Sequence, residues 1–212
     1  MGSRTPDIRE ILQKMGSQAP PHHFEFSDPF WVLITTMLSH RTRDEVTDSA
    51  SRRLFERYGN ADGLAMANPH DVESLIARVG FYRVKANRIV QVSKIIIGRF
   101  GGRVPETLED LVSLPGVGRK TANVVLSDSM GIPAIAVDTH VQRINRRFGW
   151  SSSDDPAVTE KRLMKIVPRD KWVGLNPMLV EFGKAVCRPV RPRCEICLVN
   201  SYCRYFRKRK KS

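Results

Sequence analysis

Apolar residues recur every three or four positions along most of this chain, which is the period of an α-helix. Asp28 followed by Pro29 predicts a helix start, because aspartate caps helices and proline is tolerated in the first turn. The apolar positions that follow at helical spacing are Phe30, Leu33, Ile34, Met37 and Leu38. No stretch alternates between apolar and polar residues for long enough to predict a strand. We therefore expect an all-α fold.

The same period predicts further helices. Thr107, with Asp110 three residues later, forms a capping-box pattern. Val141 and Ile144 mark a helix that begins just after Asp138. The other predicted helical stretches are residues 46–58, 64–79 as one or two short helices, 84–100, 108–114, 119–128, 158–167 and 178–186.

The stretch LPGVGRK, residues 114–120, separates two of these helices and predicts a helix–hairpin–helix. Gly116 and Gly118 permit backbone conformations and close approaches that other residues do not. The amides of Gly116, Val117 and Gly118 lie at a helix N-terminus, where a phosphate is favoured. Such contacts position a duplex without reading its sequence. An ordinary interhelical turn is the alternative, and the second glycine argues against it.

Two residues near the hairpin could carry chemistry. Lys120 lies in the first turn of the second hairpin helix, where the helix dipole disfavours a cation, so we expect its amine to lose a proton more readily than a free lysine. A neutral amine can form a Schiff base, whereas a plain phosphate-binding lysine is the alternative. Asp138 follows an apolar run and could cap a helix, face a cleft as a carboxylate, or do both.

The four cysteines lie within 17 residues, at the spacing C-x6-C-x2-C-x5-C. They are Cys187, Cys194, Cys197 and Cys203. So tight a group predicts a metal centre. Only one pair has the short spacing usual in zinc sites, which modestly favours an iron–sulfur cluster. We expect the chain after Cys187 to be a terminus held together by a bound metal group rather than a packed helix. The cluster would be mainly structural and would present cations to phosphates.

The formal net charge of +13 predicts a polyanionic partner. The basic tail, residues 204–212, concentrates this charge; it either contacts nucleic acid or is a disordered, solubilising segment. The longest apolar stretch, residues 30–38, is too short to cross a membrane. Residues 1–19 lack the apolar core of a secretory signal. We therefore expect a cytoplasmic protein, associated with the nucleoid in a prokaryote, with no membrane partner.

The hairpin LPGVGRKTA, the VDTHV sequence of residues 137–141 and the cysteine spacing together resemble the endonuclease III family of DNA glycosylases. This family belongs to the helix–hairpin–helix superfamily with the Gly/Pro-Asp loop. The resemblance extends from about Asp28 to the end of the chain. It implies two all-α domains: a six-helix bundle over residues 28–133, with the hairpin at about 107–128, and a cluster domain formed by residues 1–27 and 134–212.

The resemblance also implies the chemistry. The family's catalytic lysine falls on Lys120 and its catalytic aspartate on Asp138, and the four cysteines become ligands of a [4Fe-4S] cluster. The implied activity is a base-excision-repair glycosylase with AP lyase activity on oxidised pyrimidines. The implied partner is double-stranded DNA with damaged bases or abasic sites, bound by a monomer. The positions expected to contact DNA are Gly116, Val117, Gly118, Arg119, Arg41, Phe81 and His140.

One position departs from the family pattern. Arg41 replaces the glutamine that enters the gap left by a flipped base. Arginine could fill that gap, with a bias towards the acceptors of guanine, or could contact only the DNA backbone. Phe81 matches the family's apolar wedge, and packing into the core is its alternative interpretation.

Two rival functions remain open from the sequence. A monofunctional or mismatch glycosylase would release a base without cutting the strand, and Lys120 argues against it. A non-catalytic iron–sulfur protein that binds DNA or senses redox state would bind without turnover, and the pairing of Lys120 with Asp138 argues against it.

Overall fold

The computed structural model describes residues 7–22 and 25–210, and helices dominate this part of the chain, in which no strand is found. The all-α prediction is therefore confirmed. The α-helices are α1 Ile8–Gln18, α2 Pro29–Ser39, α3 Asp44–Tyr58, α4 Ala61–Ala65, α5 Pro69–Leu75, α6 Tyr82–Phe100, α7 Leu108–Ser113, α8 Arg119–Val124, α9 Thr139–Phe148, α10 Pro156–Ile166, α11 Leu175–Ala185 and α12 Arg204–Arg209.

The chain divides into two compact units. Within the described residues, the first unit spans residues 25–132 and contains α2 to α8. The second combines residues 7–22 with residues 133–210 and contains α1 and α9 to α12.

The first unit packs around α2 and α6. Leu33, Ile34 and Leu38 of α2 are fully buried, as are Leu54 of α3 and Ile89 of α6. Burial of such side chains contributes roughly 1.5–3 kcal/mol each. This packing fixes the ends of α2 and α6, where several candidate site residues lie.

The predicted caps are confirmed. The Asp28 carboxylate accepts hydrogen bonds from the amides of Phe30 and Trp31, at 3.0 and 3.1 Å. Thr107 Oγ1 accepts from the amide of Asp110 at 3.1 Å, and the Thr107 hydroxyl donates to the Asp110 carboxylate at 2.9 Å. These bonds satisfy amides that the helices leave without partners.

The second hairpin helix is less regular than the sequence indicates. It is α-helical from Arg119 to Val124 and then continues as a π-helical turn, Val125–Ser129. The Ser129 hydroxyl donates to the carbonyl of Val125 at 2.6 Å. The Ser129 side chain thus satisfies a carbonyl that would otherwise need a backbone amide of a regular α-helix. This bond stabilises the wider turn.

The second unit buries apolar side chains of α1, α9, α10 and α11. Met15, Ile144, Leu163, Leu179 and Phe182 are almost fully buried. The non-helical segment of residues 134–137 is also buried. Its backbone is satisfied in part by Asn176, whose amide donates to the carbonyl of Ala136 at 3.1 Å.

The expectation of no packed helix after Cys187 is wrong at the end of the chain. Residues 204–209 of the basic tail form α12, and Phe206 packs against the second unit's core. Arg147 stacks over the ring of Tyr205 at 4.9 Å. Aromatic residues between the basic ones supply the apolar contacts that a purely charged tail would lack. Lys211 and Ser212 of the predicted tail lie outside the described residues.

Within the described residues, no helix is both long and apolar enough to cross a membrane.

Replacing Asp28 with alanine should remove both cap bonds at the start of α2. We expect a loss of about 1 kcal/mol and a fall in melting temperature of about 2–4 °C. Asp28→Asn is the matched control, since asparagine also caps helices, and it should melt close to the wild type. Equal melting of the alanine and asparagine variants would contradict this account.

Candidate functional site

The hairpin joins α7 to α8 through residues 114–118. The Val117 side chain is buried, and its amide donates to the carbonyl of Leu114 at 3.1 Å. Gly116 has a φ of +81°. A Cβ at Gly116 would also lie 2.7 Å from Cδ of Arg88. The backbone conformation is the feature that favours glycine, because the exposed Arg88 side chain can move away from an added Cβ.

Gly118 has a different structural role. Its φ is −95°, which any residue can adopt, and a Cβ there would meet no atom within 4 Å. The backbone conformation therefore does not require glycine. The missing side chain instead leaves open space in front of the N-terminus of α8, at an exposed position next to exposed Arg119. The exposed Arg88 places a further cation beside the turn, and sequence reasoning missed it.

Lys120 is half-buried in the first turn of α8. Its neighbour Thr121 is fully buried, and Thr121 Oγ1 lies 3.2 Å from Nε2 of His40. Burial lowers the pKa of His40, and the positive charges of Lys120 and Lys85 lower it further. The candidate nucleophile thus shares its surroundings with a histidine that is favoured in its neutral form.

Lys85 is a buried cation in the same unit, only 7% exposed. Its ammonium group donates to the carbonyls of Leu38 and His40 at 2.7 and 2.6 Å, and to Thr42 Oγ1 at 3.3 Å. Burial lowers the pKa of Lys85 to about 8. The acceptor oxygens stabilise the ammonium form, so the residue is a cation at neutral pH. A lysine on the apolar face of α6 was the available sequence signal.

Arg41 and Phe81 lie together at the surface of the first unit. The Arg41 guanidinium lies 5.4 Å from the centre of the Phe81 ring. Phe81 is 61% exposed, so the alternative that placed it in the core is wrong. Both residues have left-handed backbones, with φ of 55° and 59°. They line a cavity of about 330 Å³ together with Met37, His40, Val84, Lys85, Arg88 and Gly116.

Asp138 lies in the second unit, whereas Lys120 lies in the first. Asp138 caps α9: its Oδ1 accepts hydrogen bonds from the amides of His140 and Val141, at 2.9 and 2.8 Å. Both bonds use the same oxygen. The cap therefore fixes the carboxylate without needing its second oxygen, which makes capping compatible with a chemical role.

His140 packs against its own unit. Its Nδ1 lies 3.1 Å from a guanidinium nitrogen of Arg143. A Cβ on Gly183 would lie 2.6 Å from that ring nitrogen, so glycine lets α11 approach α9 closely. Arg143 also donates to the carbonyls of Cys187 and Gly183, at 3.0 and 3.1 Å. The predicted contact of His140 with DNA stays a prediction.

The four cysteines line one pocket with apolar neighbours from α9, α11 and α12. All four are free thiols. Arg147 approaches Sγ of Cys187 at 3.2 Å and donates to the carbonyl of Arg188 at 2.7 Å. Burial raises the pKa of Cys194 and Cys203, and raises that of Cys197 to about 11.

The donors of this pocket are the four thiols that line it. Buried thiolates are unfavourable unless a positive group compensates them. Four thiols around one pocket are the donors that an iron–sulfur cluster requires. The residues present therefore fit such a cluster.

Residues 34–169 match the family model of HhH-GPD superfamily base excision DNA repair proteins. The chain belongs to this superfamily. The match includes the hairpin, Lys120 and Asp138 and ends before the first cysteine. Membership establishes the coarse activity, that of a DNA glycosylase in base excision repair, with DNA as its binding partner.

Full-length relatives extend the HhH-GPD match over almost the whole chain. Endonuclease III of Thermotoga maritima is 48% identical over 96% of this chain and 95% of its own length. Endonuclease III of Bacillus subtilis is 39% identical over 96% of this chain and 94% of its own. A solved endonuclease III, trapped as a covalent intermediate with DNA, superposes with a TM-score of 0.88 at 37% identity and covers 96% of this chain and 97% of its own.

The pKa of Lys85 gives a testable pH dependence within this HhH-GPD protein. An unfolded lysine keeps its proton up to about pH 10.5, while folded Lys85 loses it near pH 8. Between these values the unfolded state binds more protons, so stability rises with pH, by at most about 3 kcal/mol. Unfolding in urea at about pH 7 and about pH 10 should show this rise in the wild type but not in Lys85→Met.

Lys94→Met is the matched control for this measurement. Lys94 is an exposed lysine on the same helix, and its loss should leave the pH dependence of the wild type in place. If the free energy of unfolding changed with pH to the same extent in the wild type and in Lys85→Met, a lowered pKa at Lys85 would be contradicted.

Proposed function

We propose that this chain is a bifunctional DNA glycosylase and AP lyase that acts, as a monomer, on oxidised pyrimidines in duplex DNA. The observation that carries the proposal is the position of Lys120. It follows the glycine hairpin at once, in the first turn of α8, in a chain 37% identical to an endonuclease III trapped covalently on DNA. A covalent intermediate requires a nucleophile, and lysine supplies one.

The proposed reaction begins with a nucleotide swung out of the duplex, because its sugar carbon cannot be reached within the base stack. The neutral Lys120 amine attacks C1′, the bond from C1′ to the base breaks, and the base leaves with the bonding electrons and takes a proton. The sugar ring opens to an imine. Loss of a proton from C2′ then breaks the bond between C3′ and its phosphate oxygen, and water releases Lys120.

Asp138 is proposed to accept the proton of Lys120 and to offset positive charge on the sugar. Its geometry supports a fixed carboxylate, since the two amides of the α9 cap hold Oδ1. In this role the second oxygen accepts the proton. His40, beside Thr121, is favoured in its neutral form because it is buried and because the positive charges of Lys120 and Lys85 lie nearby.

The hairpin is proposed to bind the phosphate backbone next to the flipped nucleotide. Open space in front of Gly118, the positive end of α8 and the nearby side chains of Arg88 and Arg119 all favour an anion. The Val117 amide is already used within the turn, so the contacts fall to Gly116 and Gly118.

A lysine nucleophile also favours the lyase over a monofunctional enzyme. Branches of the resembled family that only remove adenine or mismatched thymine lack lysine at this position. Oxidised pyrimidines are proposed as substrates because the relatives that cover almost the whole chain are endonuclease III proteins.

Cys187, Cys194, Cys197 and Cys203 are proposed to hold a [4Fe-4S] cluster, which would supply a rigid cross-link for a segment with little apolar surface of its own. The pocket supports this because Arg143 and Arg147 already bind the carbonyls around Cys187. No step of the base-excision reaction passes through the cluster.

Borohydride should trap the wild-type protein covalently on duplex DNA that carries an oxidised pyrimidine, because it reduces the imine to a stable amine. Lys120→Gln should abolish trapping, and Asp138→Asn should lower its rate by at least about 100-fold, as expected for loss of a general base. Denaturing gels measure the cross-linked fraction. Lys94→Gln, an exposed lysine of the same unit, is the control and should trap normally. Trapping that survives Lys120→Gln would exclude this nucleophile.

The purified protein should be yellow-brown and contain about four iron atoms per chain. Cys197→Ala should lose colour and iron, because the cluster loses a ligand. Ser201→Ala changes an exposed residue of the same segment and should keep both. Visible absorbance and iron analysis measure this, and a colourless protein holding one zinc ion would refute the cluster.

A further inference from the structure

Two loops of the first unit contact each other closely. One follows α2 at residues 40–43, and the other precedes α6 at residues 79–81. A Cβ on Gly80 would lie only 2.5 Å from the carbonyl oxygen of Arg41, so the backbones approach more closely than a side chain would permit. The Gly80 amide donates to Thr42 Oγ1 at 3.2 Å, which adds a hydrogen bond across the same contact.

Lys85 adds further hydrogen bonds to this contact between the two loops. Its ammonium group binds the carbonyls of Leu38 and His40, which come at the end of α2, where carbonyls have no partner within the helix. The same group reaches Thr42 Oγ1, the atom that also accepts the Gly80 amide. One buried cation therefore connects the end of α2, the Arg41 loop and the Phe81 loop.

Arg41 and Phe81 are strained on this support. Both have positive φ, which is unfavourable for residues with a side chain. Such strain persists only where surrounding contacts impose it, and it is common at functional sites. At these two strained positions the guanidinium lies over the aromatic ring, and the pair is exposed at the edge of a cavity. An exposed phenylalanine held this way is available to stack on a base.

We propose that Lys85, Thr42 and Gly80 hold Arg41 and Phe81 as one preassembled unit that reads the base opposite the lesion, with guanine favoured. The inference rests on the proposed function, because it requires a flipped nucleotide and an orphaned partner. Phe81 fills the stack and Arg41, already oriented over its ring, donates to O6 and N7 of guanine. Lys85 and Thr42 are positioning residues that do not touch DNA.

The test measures binding of the full chain to duplexes that contain a tetrahydrofuran abasic analogue opposite each of the four bases. This analogue cannot form the imine, so binding is read without chemistry. The wild type should prefer guanine by about tenfold, as expected for a bidentate contact. Thr42→Val and Lys85→Met should reduce the preference to about twofold or less, whereas Thr42→Ser, which keeps the hydroxyl, should retain it.

A double-mutant cycle tests whether the pair acts as a unit. Arg41→Ala and Phe81→Ala should each remove most of the guanine preference, and the double variant should lose little more than either single variant. If the losses of guanine preference in the two single variants instead multiplied in the double variant, the two residues would act independently and the proposal would be overturned. So would a Thr42→Val protein that keeps the full preference, which remains informative if Lys85→Met fails to fold.

Cleavage of a single-stranded abasic oligonucleotide separates the two proposals. With no opposite base to read, Thr42→Val should cleave this substrate at the wild-type rate, and a general loss of activity would instead indicate a merely structural defect. If the wild type neither cleaved nor was trapped, the lyase proposal would be wrong. The binding preference would still test the reading unit. Normal trapping with no base preference would sink the reading unit alone.

Discussion

Helix ends are the constraint on which the candidate site depends. A helix leaves its first amides and its last carbonyls without internal partners, and these groups must be satisfied from elsewhere. At the end of α2 the buried ammonium of Lys85 binds two carbonyls. At the start of α9 the Asp138 carboxylate binds two amides. At the start of α8 Gly118 provides no capping side chain, and the space in front of it stays open.

The residues that satisfy helix ends have different roles in the two units. In the first unit, the hairpin and the Arg41 loop line the same cavity, so the turn proposed to bind phosphate and the proposed reading residues lie beside the ends of α2 and α6. In the second unit, Asp138 caps the start of α9, and Arg143 and Arg147 of the same helix contact the cysteine segment. The cysteine segment is therefore attached to the same helix that orients the proposed general base.

Local patterns in the sequence sufficed for much of this description. The Asp28 and Thr107 caps, the long helix α6, the hairpin and the all-α class follow from spacings of three or four residues, which act within one helical turn. Longer-range features were missed or misread. Residues 204–209 of the basic tail form a helix whose Phe206 packs on a core built by remote segments, and the turn at Val125 widens within a helix that the sequence presents as regular.

By itself, the sequence determined the candidate nucleophile, the capping aspartate, the candidate thiol ligands and the family, because these depend on residue type and on spacing along the chain. Only the tertiary structure decided that Phe81 is exposed, that Lys85 is a buried cation and that Gly116 and Gly183 accommodate Arg88 and His140. These contacts join residues about thirty to fifty positions apart. No local pattern encodes them, since they arise only when helices pack and remote backbones approach within hydrogen-bond distance.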